Sequence, residues 1–249
     1  MARAALPGRL NWQQVTVVEL IAETRRTVSI VLKQPAWAGH LPGQHVDVRL
    51  TAPGGYQAQR SYSIASAPED AYLMLTVERL DDGEVSSHLA GELRVGDQLE
   101  LRGPIGGYFV WNPALTGPVF LIAGGSGIVP FRSMLRHRAA IKSVVPVRLL
   151  YSSRSLDDVI YRDELMHLAA YDEVDVRLAL TREWPQRWAG HRGRIDHQLL
   201  DQISWPAKDK PLIFVCGPTS FVESIADALV QSEHSPTLIR TERFGPTGN

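Results

Sequence analysis

The chain has 249 residues, 44% hydrophobic and 21% charged, which is enough for one large or two medium domains with ordinary cores. With 26 Lys and Arg against 27 Asp and Glu the net charge is −1, so there is no electrostatic case for nucleic acid as a partner. No apolar run approaches the roughly 20 residues that cross a bilayer, and a lone cysteine, Cys216, excludes an intrachain disulfide and a cysteine-ligated iron–sulfur cluster within the chain.

The start, Met1-Ala-Arg-Ala-Ala-Leu-Pro7, has no apolar signal core and reads as cytosolic. From there the chain reads as strands. Gln14 to Ala22 and Thr27 to Lys33 are Val/Ile-rich runs joined by Glu23-Thr-Arg-Arg26. Leu41-Pro-Gly-Gln44 turns into His45 to Leu50, which alternates apolar and polar residues, and Pro53-Gly54-Gly55 turns again. Ala58 to Ala65 and Tyr72 to Leu80 are further strands. Asp81-Asp82-Gly83 breaks the pattern before a helix-like run, Val85 to Leu93, and Gly96-Asp97 turns into Gln98 to Arg102. About six short strands with one small helix predict an antiparallel barrel.

The pattern changes after Asn112-Pro-Ala-Leu-Thr-Gly-Pro118, a Pro- and Gly-containing segment that marks a domain boundary, with domains over 1–112 and 113–249. Strand and helix then alternate. Val119–Ala123 precedes a helix over 128–141, and Val147–Tyr151 one near 161–170. Val174–Leu180 precedes a helix near 196–203, and Leu212–Cys216 one over 219–231; Thr237–Thr241 closes the series. Repeated βα units with Val/Ile/Leu-rich strands predict a parallel, doubly wound sheet. Ligands on such sheets sit at the carboxyl ends of the strands, which here gathers Gly124–Gly127, Ser152–Arg154, Thr181-Arg182 and Cys216-Gly-Pro-Thr219 on one rim. The eight histidines show no His-x-x-x-His pair and no His/Cys clustering; His191 and His197 read as surface residues in a loop, and no metal is expected.

Four stretches bear chemistry. In the first, the apolar run Val119–Ala123 stops at Gly124-Gly125-Ser126-Gly127, and Pro130 suits the first turn of the helix that follows. Such a turn presents backbone N–H groups to an anion, and a helix N-terminus favours negative charge there by about 0.3–1 kcal/mol. The same layout serves as a tight turn in any α/β protein, and its spacing is not the G-x-G-x-x-G of the dinucleotide fingerprint. In the second, Arg60-Ser61-Tyr62-Ser63, strand alternation puts Arg60 and Tyr62 on one face, suited to a phosphate and a planar ring or to a plain cross-strand pair. In the third, Gly83-Glu-Val85-Ser86-Ser87-His-Leu89, helix-start amides and serine hydroxyls can meet a phosphate, or a serine can cap the helix. The fourth, Gly103-Pro-Ile-Gly-Gly-Tyr-Phe109, forms either a groove wall or a barrel-closing turn.

Taken in order, R-x-Y-S at 60–63, G-x-x-S-x-x-L at 83–89, the 103–109 stretch, G-G-S-G-I-x-P at 124–130 and C-G-P at 216–218 resemble the ferredoxin–NADP reductase superfamily, over about Gln14 to Phe244. The resemblance implies a six-stranded antiparallel Greek-key barrel that binds FAD, followed by a doubly wound parallel sheet that binds NAD(P). It implies that Arg60 pairs with the flavin pyrophosphate, Tyr62 packs on the flavin and Ser63 hydrogen-bonds near its N5, with Ser61 in the same motif. Gly83, Val85, Ser86 and Ser87 would add phosphate contacts. Gly124, Gly125, Ser126 and Gly127 would face the NAD(P)H pyrophosphate. Cys216, with Gly217 and Pro218, would sit near the nicotinamide carbon that gives up hydride, as a packing group and not a nucleophile. Phe244 resembles the superfamily's terminal aromatic beside the flavin.

Such chemistry belongs to the cofactors, so the protein needs to stack two rings and exclude water, and no Ser/His/Asp or paired-carboxylate constellation is required. An acidic residue after the second parallel strand would suit an unphosphorylated ribose; Ser152-Ser153-Arg154 suits a 2′-phosphate and points to NADPH. NADH stays possible, because Asp157 and Asp158 stand nearby. Tyr161 is a candidate for stacking the adenine, and Thr181 lies on the same rim. FAD against FMN stays open on the residues alone. The acceptor implied is a separate ferredoxin-type iron–sulfur protein or an oxygenase component. Alternatives are a reductase of small acceptors (free flavin, ferric chelate, quinone) and an electron-relay subunit of a larger complex. The chain ends at Phe244-Gly-Pro-Thr-Gly-Asn249, where some relatives continue into a [2Fe–2S] domain, so none is expected here. A cytoplasmic monomer with no nucleic-acid or membrane partner completes the reading.

Overall fold

The computed structural model describes residues 10–245 apart from 35–36, 53, 113, 115–116 and 172–173. The expectations for Met1–Pro7, Pro53, part of the 112–118 segment and the last four residues lie outside the described residues.

Six antiparallel strands build the first unit: β1 (Gln13–Ala22), β2 (Thr27–Lys33), β3 (His45–Thr51), β4 (Gln57–Ser63), β5 (Leu73–Glu78) and β6 (Gln98–Ile105). Their order, β4-β3-β6-β1-β2-β5, is that of a Greek key. The outer strands meet only at the Ile64–Leu75 bridge, which closes the barrel at one end. Strand alternation buries Val46, Val48, Ile30, Leu32, Leu75 and Val77 in a common core. The helix α1 (Glu84–Gly91) adds Val85 and Leu89 to that core, and Leu93 joins them. It starts and ends earlier than the predicted 85–93 because Gly83 supplies the extended N-cap. Gly103–Ile105 belongs to β6 itself and is not a turn.

Six parallel strands build the second unit: β7 (Val119–Gly124), β8 (Val147–Ser153), β9 (Val174–Leu180), β10 (His191–Arg192), β11 (Leu212–Pro218) and β12 (Ile239–Phe244), in the order β10-β9-β8-β7-β11-β12. Helices α2 (Val129–Ala140) and α3 (Arg162–Tyr171) cover the face that carries Leu121, Leu149 and Phe214. Helices α4 (His197–Ile203) and α5 (Thr219–Gln231) cover the face that carries Phe120, Ile122, Leu150 and Val215. Asp196 caps α4 by accepting from the Leu199 N–H at 2.8 Å, so His197 opens a helix and His191 sits in the short edge strand β10, neither in a loop. Gly125–Ile128 forms a 3-10 turn ahead of α2, and Pro236–Leu238 forms another ahead of β12. The last strand therefore runs to Phe244, later than the predicted Thr237–Thr241.

The two units are fastened along α2. Ala65, Phe109 and Trp111 from the barrel side belong to the same apolar cluster as Phe131, Met134 and Leu135 of α2. Inside this seam Arg132 donates to Glu164 at 2.8 Å and to the Ala65 carbonyl at 3.1 Å, and lies over the Tyr161 ring at 4.8 Å. Ser133 Oγ donates to the Ser66 carbonyl at 2.7 Å, and Arg136 pairs with Asp70 at 2.9 Å. Removing one partner of a buried charged pair leaves the other uncompensated, at a cost of about 3–5 kcal/mol. Because Glu164 keeps Arg136 at 3.2 Å, Arg132→Met should fall at the lower end, near 3 kcal/mol. Urea unfolding monitored by tryptophan fluorescence measures this, and a midpoint equal to the wild type's would contradict it.

Candidate functional site

The carboxyl ends of β7, β8, β9 and β11 face the barrel across a cleft of about 210 Å³. Gly124, Gly125, Ser152, Ser153, Arg154, Thr181 and Pro218 line it from the parallel sheet, and Thr24, Arg26, Thr27 and Glu78 from the barrel. Of the rim expected from the sequence, Gly124, Gly125, Ser152, Ser153, Arg154, Thr181 and Pro218 line this cleft, whereas Ser126, Gly127, Arg182, Cys216, Gly217 and Thr219 do not. Gly125 takes φ +55°, a left-handed conformation that favours glycine. At Gly127 an added Cβ would overlap the Cys216 carbonyl, so the turn packs flush against β11 only as glycine. Added Cβ atoms on Gly124 and Gly217 would meet the Phe221 ring at 2.9 and 2.7 Å. Phe221 also lines the cleft; its place between two glycines is tertiary and escaped the sequence reading. The 3-10 turn has no side-chain cap, so its N–H groups suit an anion. Ser126 sits half-buried on that turn.

At the end of β8, Ser152 and Ser153 are buried and Arg154 is exposed. Thr181 Oγ1 donates to the Ser153 carbonyl at 3.1 Å, and the Arg182 N–H to the Arg154 carbonyl at 2.9 Å. Among the described residues neither the Arg154 nor the Arg182 side chain has a hydrogen-bond or ion-pair partner, whereas Asp158 accepts from Ser155 at 2.7 Å. Tyr161 corrects an expectation. Its backbone takes φ +60° and its ring turns back into the seam, 4% exposed. Its hydroxyl donates to Thr76 and its face meets Arg132, so it cannot stack an adenine.

On the barrel, β4 is an edge strand, and Arg60 and Tyr62 share the face of Val48 and Val46 through the β3–β4 register. The Arg60 guanidinium bonds only the neighbouring Gln59 carbonyl, at 2.6 Å, and remains exposed. Burial pushes the Tyr62 hydroxyl up to about 12, with the Arg60 charge opposing the shift. The first turn of α1 has no side-chain cap. Ser86 Oγ accepts from the Leu80 N–H at 3.2 Å and donates to the Gly83 carbonyl at 3.3 Å, and Ser87 Oγ donates to the Leu80 carbonyl at 3.1 Å. Both hydroxyls brace the turn from Leu80 to Gly83, so the uncapped amides are the phosphate donors available there. Val85 contributes only its backbone, its side chain being in the barrel core. Ser61 is likewise committed, donating to Asp47 at 2.7 Å on the opposite face from Tyr62. An exposed cation and a half-buried aromatic on β4, with the uncapped amides of α1, are groups that fit a flavin dinucleotide.

Two residues that sequence reading missed, His45 and Glu242, link the barrel to the parallel sheet. Ser63 is the register partner of His45, whose Nδ1 lies 3.6 Å from Glu242 Oε1. Glu242 is the register partner of Cys216, and its buried Oε2 has no hydrogen-bond partner. Burial, then the Glu242 charge, pushes the Cys216 thiol well up, so it stays neutral. Phe244 pairs with Pro218 and lines the cleft. No local motif marks His45 and Glu242, because they come from different sheets. No group of three or more His, Cys, Asp or Glu side chains is arranged to hold a metal ion among the described residues, and no helix there is long and apolar enough to cross a membrane.

Residues 13–110 match the oxidoreductase FAD-binding domain family and residues 121–227 the oxidoreductase NAD-binding domain family. The chain is 34% identical over 191 residues to ferredoxin–NADP reductase B of Sorangium cellulosum, covering 74% of this chain and 77% of that protein. It is 32% identical over 241 residues to the glycine betaine monooxygenase reductase subunit of Pseudomonas aeruginosa, covering 94% of this chain and 64% of the relative, so it spans a little under two thirds of that protein. The FAD/NAD-binding domain of a Vibrio cholerae nitric oxide dioxygenase superposes with a TM-score of 0.85 at 26% identity, over 94% of this chain and 99% of that one.

Two outcomes follow from the geometry. Gly127→Ala must push the turn off β11; overpacking of this kind costs about 1–3 kcal/mol, and nucleotide affinity measured by calorimetry should fall with it. Cys216 should resist iodoacetamide at pH 8 until the protein is unfolded. Its raised folded pKa adds stability that is fully present below the unfolded thiol value, about 8.5, and declines as pH rises from there toward the folded value. Cys216→Ala should therefore flatten stability against pH in that window, and an unchanged profile would contradict the assignment.

Proposed function

The chain belongs to the ferredoxin–NADP reductase family of NAD(P)H–FAD oxidoreductases, and from that premise we propose that it passes electrons from FAD to a separate acceptor protein, an oxygenase component or a ferredoxin-type iron–sulfur protein. When bound, NAD(P)H supplies a hydride and FAD accepts it and hands electrons on singly. The observation that carries the proposal is the 3.6 Å contact between His45, register partner of Ser63 in the barrel, and Glu242, register partner of Cys216 in the parallel sheet, which brings the two candidate cofactor-binding units together. The likeness to a monooxygenase reductase subunit across 94% of the chain supports an oxygenase partner.

In this reading the groove beside β4 takes FAD. Arg60 and the amides at Gly83–Ser87 hold its pyrophosphate, Tyr62 packs on the flavin and Ser63 meets its reactive edge. The cleft takes the nicotinamide nucleotide. Gly124–Gly127 hold its pyrophosphate; Ser153, Arg154 and Thr181 hold the adenosine end. Cys216, Gly217, Pro218 and Phe244 flank the nicotinamide. Cys216, buried and neutral, packs and excludes water and takes no proton. Glu242 presents an unpartnered acceptor to whatever donor the nicotinamide or flavin brings. In this reading the domain boundary falls at 112/113, in the connection between β6 and β7.

The unpartnered Arg154 and Arg182 favour a 2′-phosphate, and hence NADPH. A hydrogen bond to a charged group contributes about 1.5–3 kcal/mol, so Arg154→Ala should weaken NADPH by about tenfold or more and NADH little. Anaerobic titration of the flavoprotein with each nucleotide measures this, and equal bleaching by both in the wild type would refute the preference. Fast reduction of an added ferredoxin or oxygenase component by the NADPH-reduced protein is the expected second result. Reduced flavin that reaches no protein acceptor would refute the partner.

A further inference from the structure

We propose that Glu78 sets nucleotide affinity in the cleft by opposing the pyrophosphate, a barrel residue acting on the ligand of the other domain. This rests on the nicotinamide nucleotide binding at the Gly124–Gly127 turn. Glu78 is the last residue of β5, in register with Thr27 of β2, and both side chains line the cleft. Its Oε2 lies 3.9 Å from where a Cβ on Gly125 would stand. The carboxylate thus faces the turn whose uncapped N–H groups are suited to an anion.

Nothing nearby neutralises it. Among the described residues the Glu78 side chain has no hydrogen bond and no ion pair. The cation beside it, Arg26, is spent elsewhere: its guanidinium donates to the Arg79 carbonyl at 2.9 and 3.3 Å and to Asp81 at 2.8 Å. Arg154, the unpartnered cation of the cleft, stands at the end of β8, where the adenosine is held. The cleft therefore carries the unpartnered Arg154 together with Asp158, held by Ser155, beyond the end of β8, and an uncompensated carboxylate opposite the glycine turn.

Like charges a few ångströms apart in a wet cleft repel by enough to change an equilibrium constant about tenfold. The nucleotide is then gripped by its adenosine and held loosely at its middle. A site built this way recognises the 2′-phosphate and releases the oxidised nucleotide readily. Affinity for the whole dinucleotide is capped by Glu78, whereas affinity for the adenosine fragment is not.

Calorimetry on the FAD-loaded protein tests this without turnover. NADP+, NAD+ and 2′-AMP, which lacks the pyrophosphate, are titrated into wild type, Glu78→Gln and Glu78→Lys. Glu78→Gln should tighten both dinucleotides about tenfold, Glu78→Lys should tighten them further and with a steeper salt dependence, and 2′-AMP should bind all three proteins alike. Unchanged dinucleotide affinity in Glu78→Gln would overturn the proposal. Weakened affinity would overturn it too, because it would mean that the carboxylate accepts a ribose hydroxyl. Equal tightening of 2′-AMP would show a general charge effect and no local one. If wild type and both variants bind no nucleotide at all, the placing of the nucleotide fails and this inference falls with it.

Discussion

Arg132 sits between the two sheets with its guanidinium nearly buried, and every distance across the cleft depends on it. It reaches the Ala65 carbonyl of the barrel, Glu164 of α3 and the face of Tyr161 from a single position on α2. The same helix begins directly after the Gly125–Ile128 turn. Fixing α2 against the barrel therefore fixes the glycine turn against the barrel too. A reaction that needs two planar cofactors in contact tolerates little slack between their binding domains. The seam is accordingly a continuous apolar cluster in which Arg132, Ser133 and Arg136 are paired, while the buried Trp111 indole N–H has no partner.

Within that frame the glycines have separate tasks. Gly125 supplies a backbone conformation, and Gly127 supplies closeness to the Cys216 carbonyl. Gly124 and Gly217 make room for Phe221, whose ring closes the floor of the cleft. The charges are divided as well. Arg154, whose guanidinium has no partner among the described residues, lies beyond the end of β8, while the barrel turns a carboxylate toward the glycine turn. The cleft is thus shaped by backbone and polarised by side chains from both units.

Much of this was readable in the chain. Strand alternation, Gly/Pro punctuation and βα repetition are local, and they placed both sheets and nearly every element within a few residues. The boundary errors have local causes too: Gly83 caps α1 early, and Gly125–Ile128 and Pro236–Leu238 wind as 3-10 turns. The strand β10, two residues long, carries no periodicity to read. The site was readable where backbone constraints write it into sequence, as in the glycine turn. It was not readable where tertiary structure decides. Tyr161 looked like a rim aromatic, yet a left-handed backbone turns its ring under Arg132. The sequence left Ser86 and Ser87 open between phosphate contact and capping; here Ser61, Ser86 and Ser87 each hydrogen-bond within the barrel.

His45 and Glu242 show why the junction in particular escaped notice. Each is unremarkable in its own strand, and only the packing of β3 near β12 brings their side chains together. The parallel register of β11 and β12 then does two things at once. It sets Glu242 beside Cys216 and Phe244 beside Pro218, so the final strand delivers a carboxylate and an aromatic to one end of the cleft. The carboxylate raises the neighbouring thiol further, which keeps Cys216 neutral. The last strand thus leaves the thiol as a buried, uncharged packing group, with a carboxylate beside it that keeps one buried oxygen without a partner.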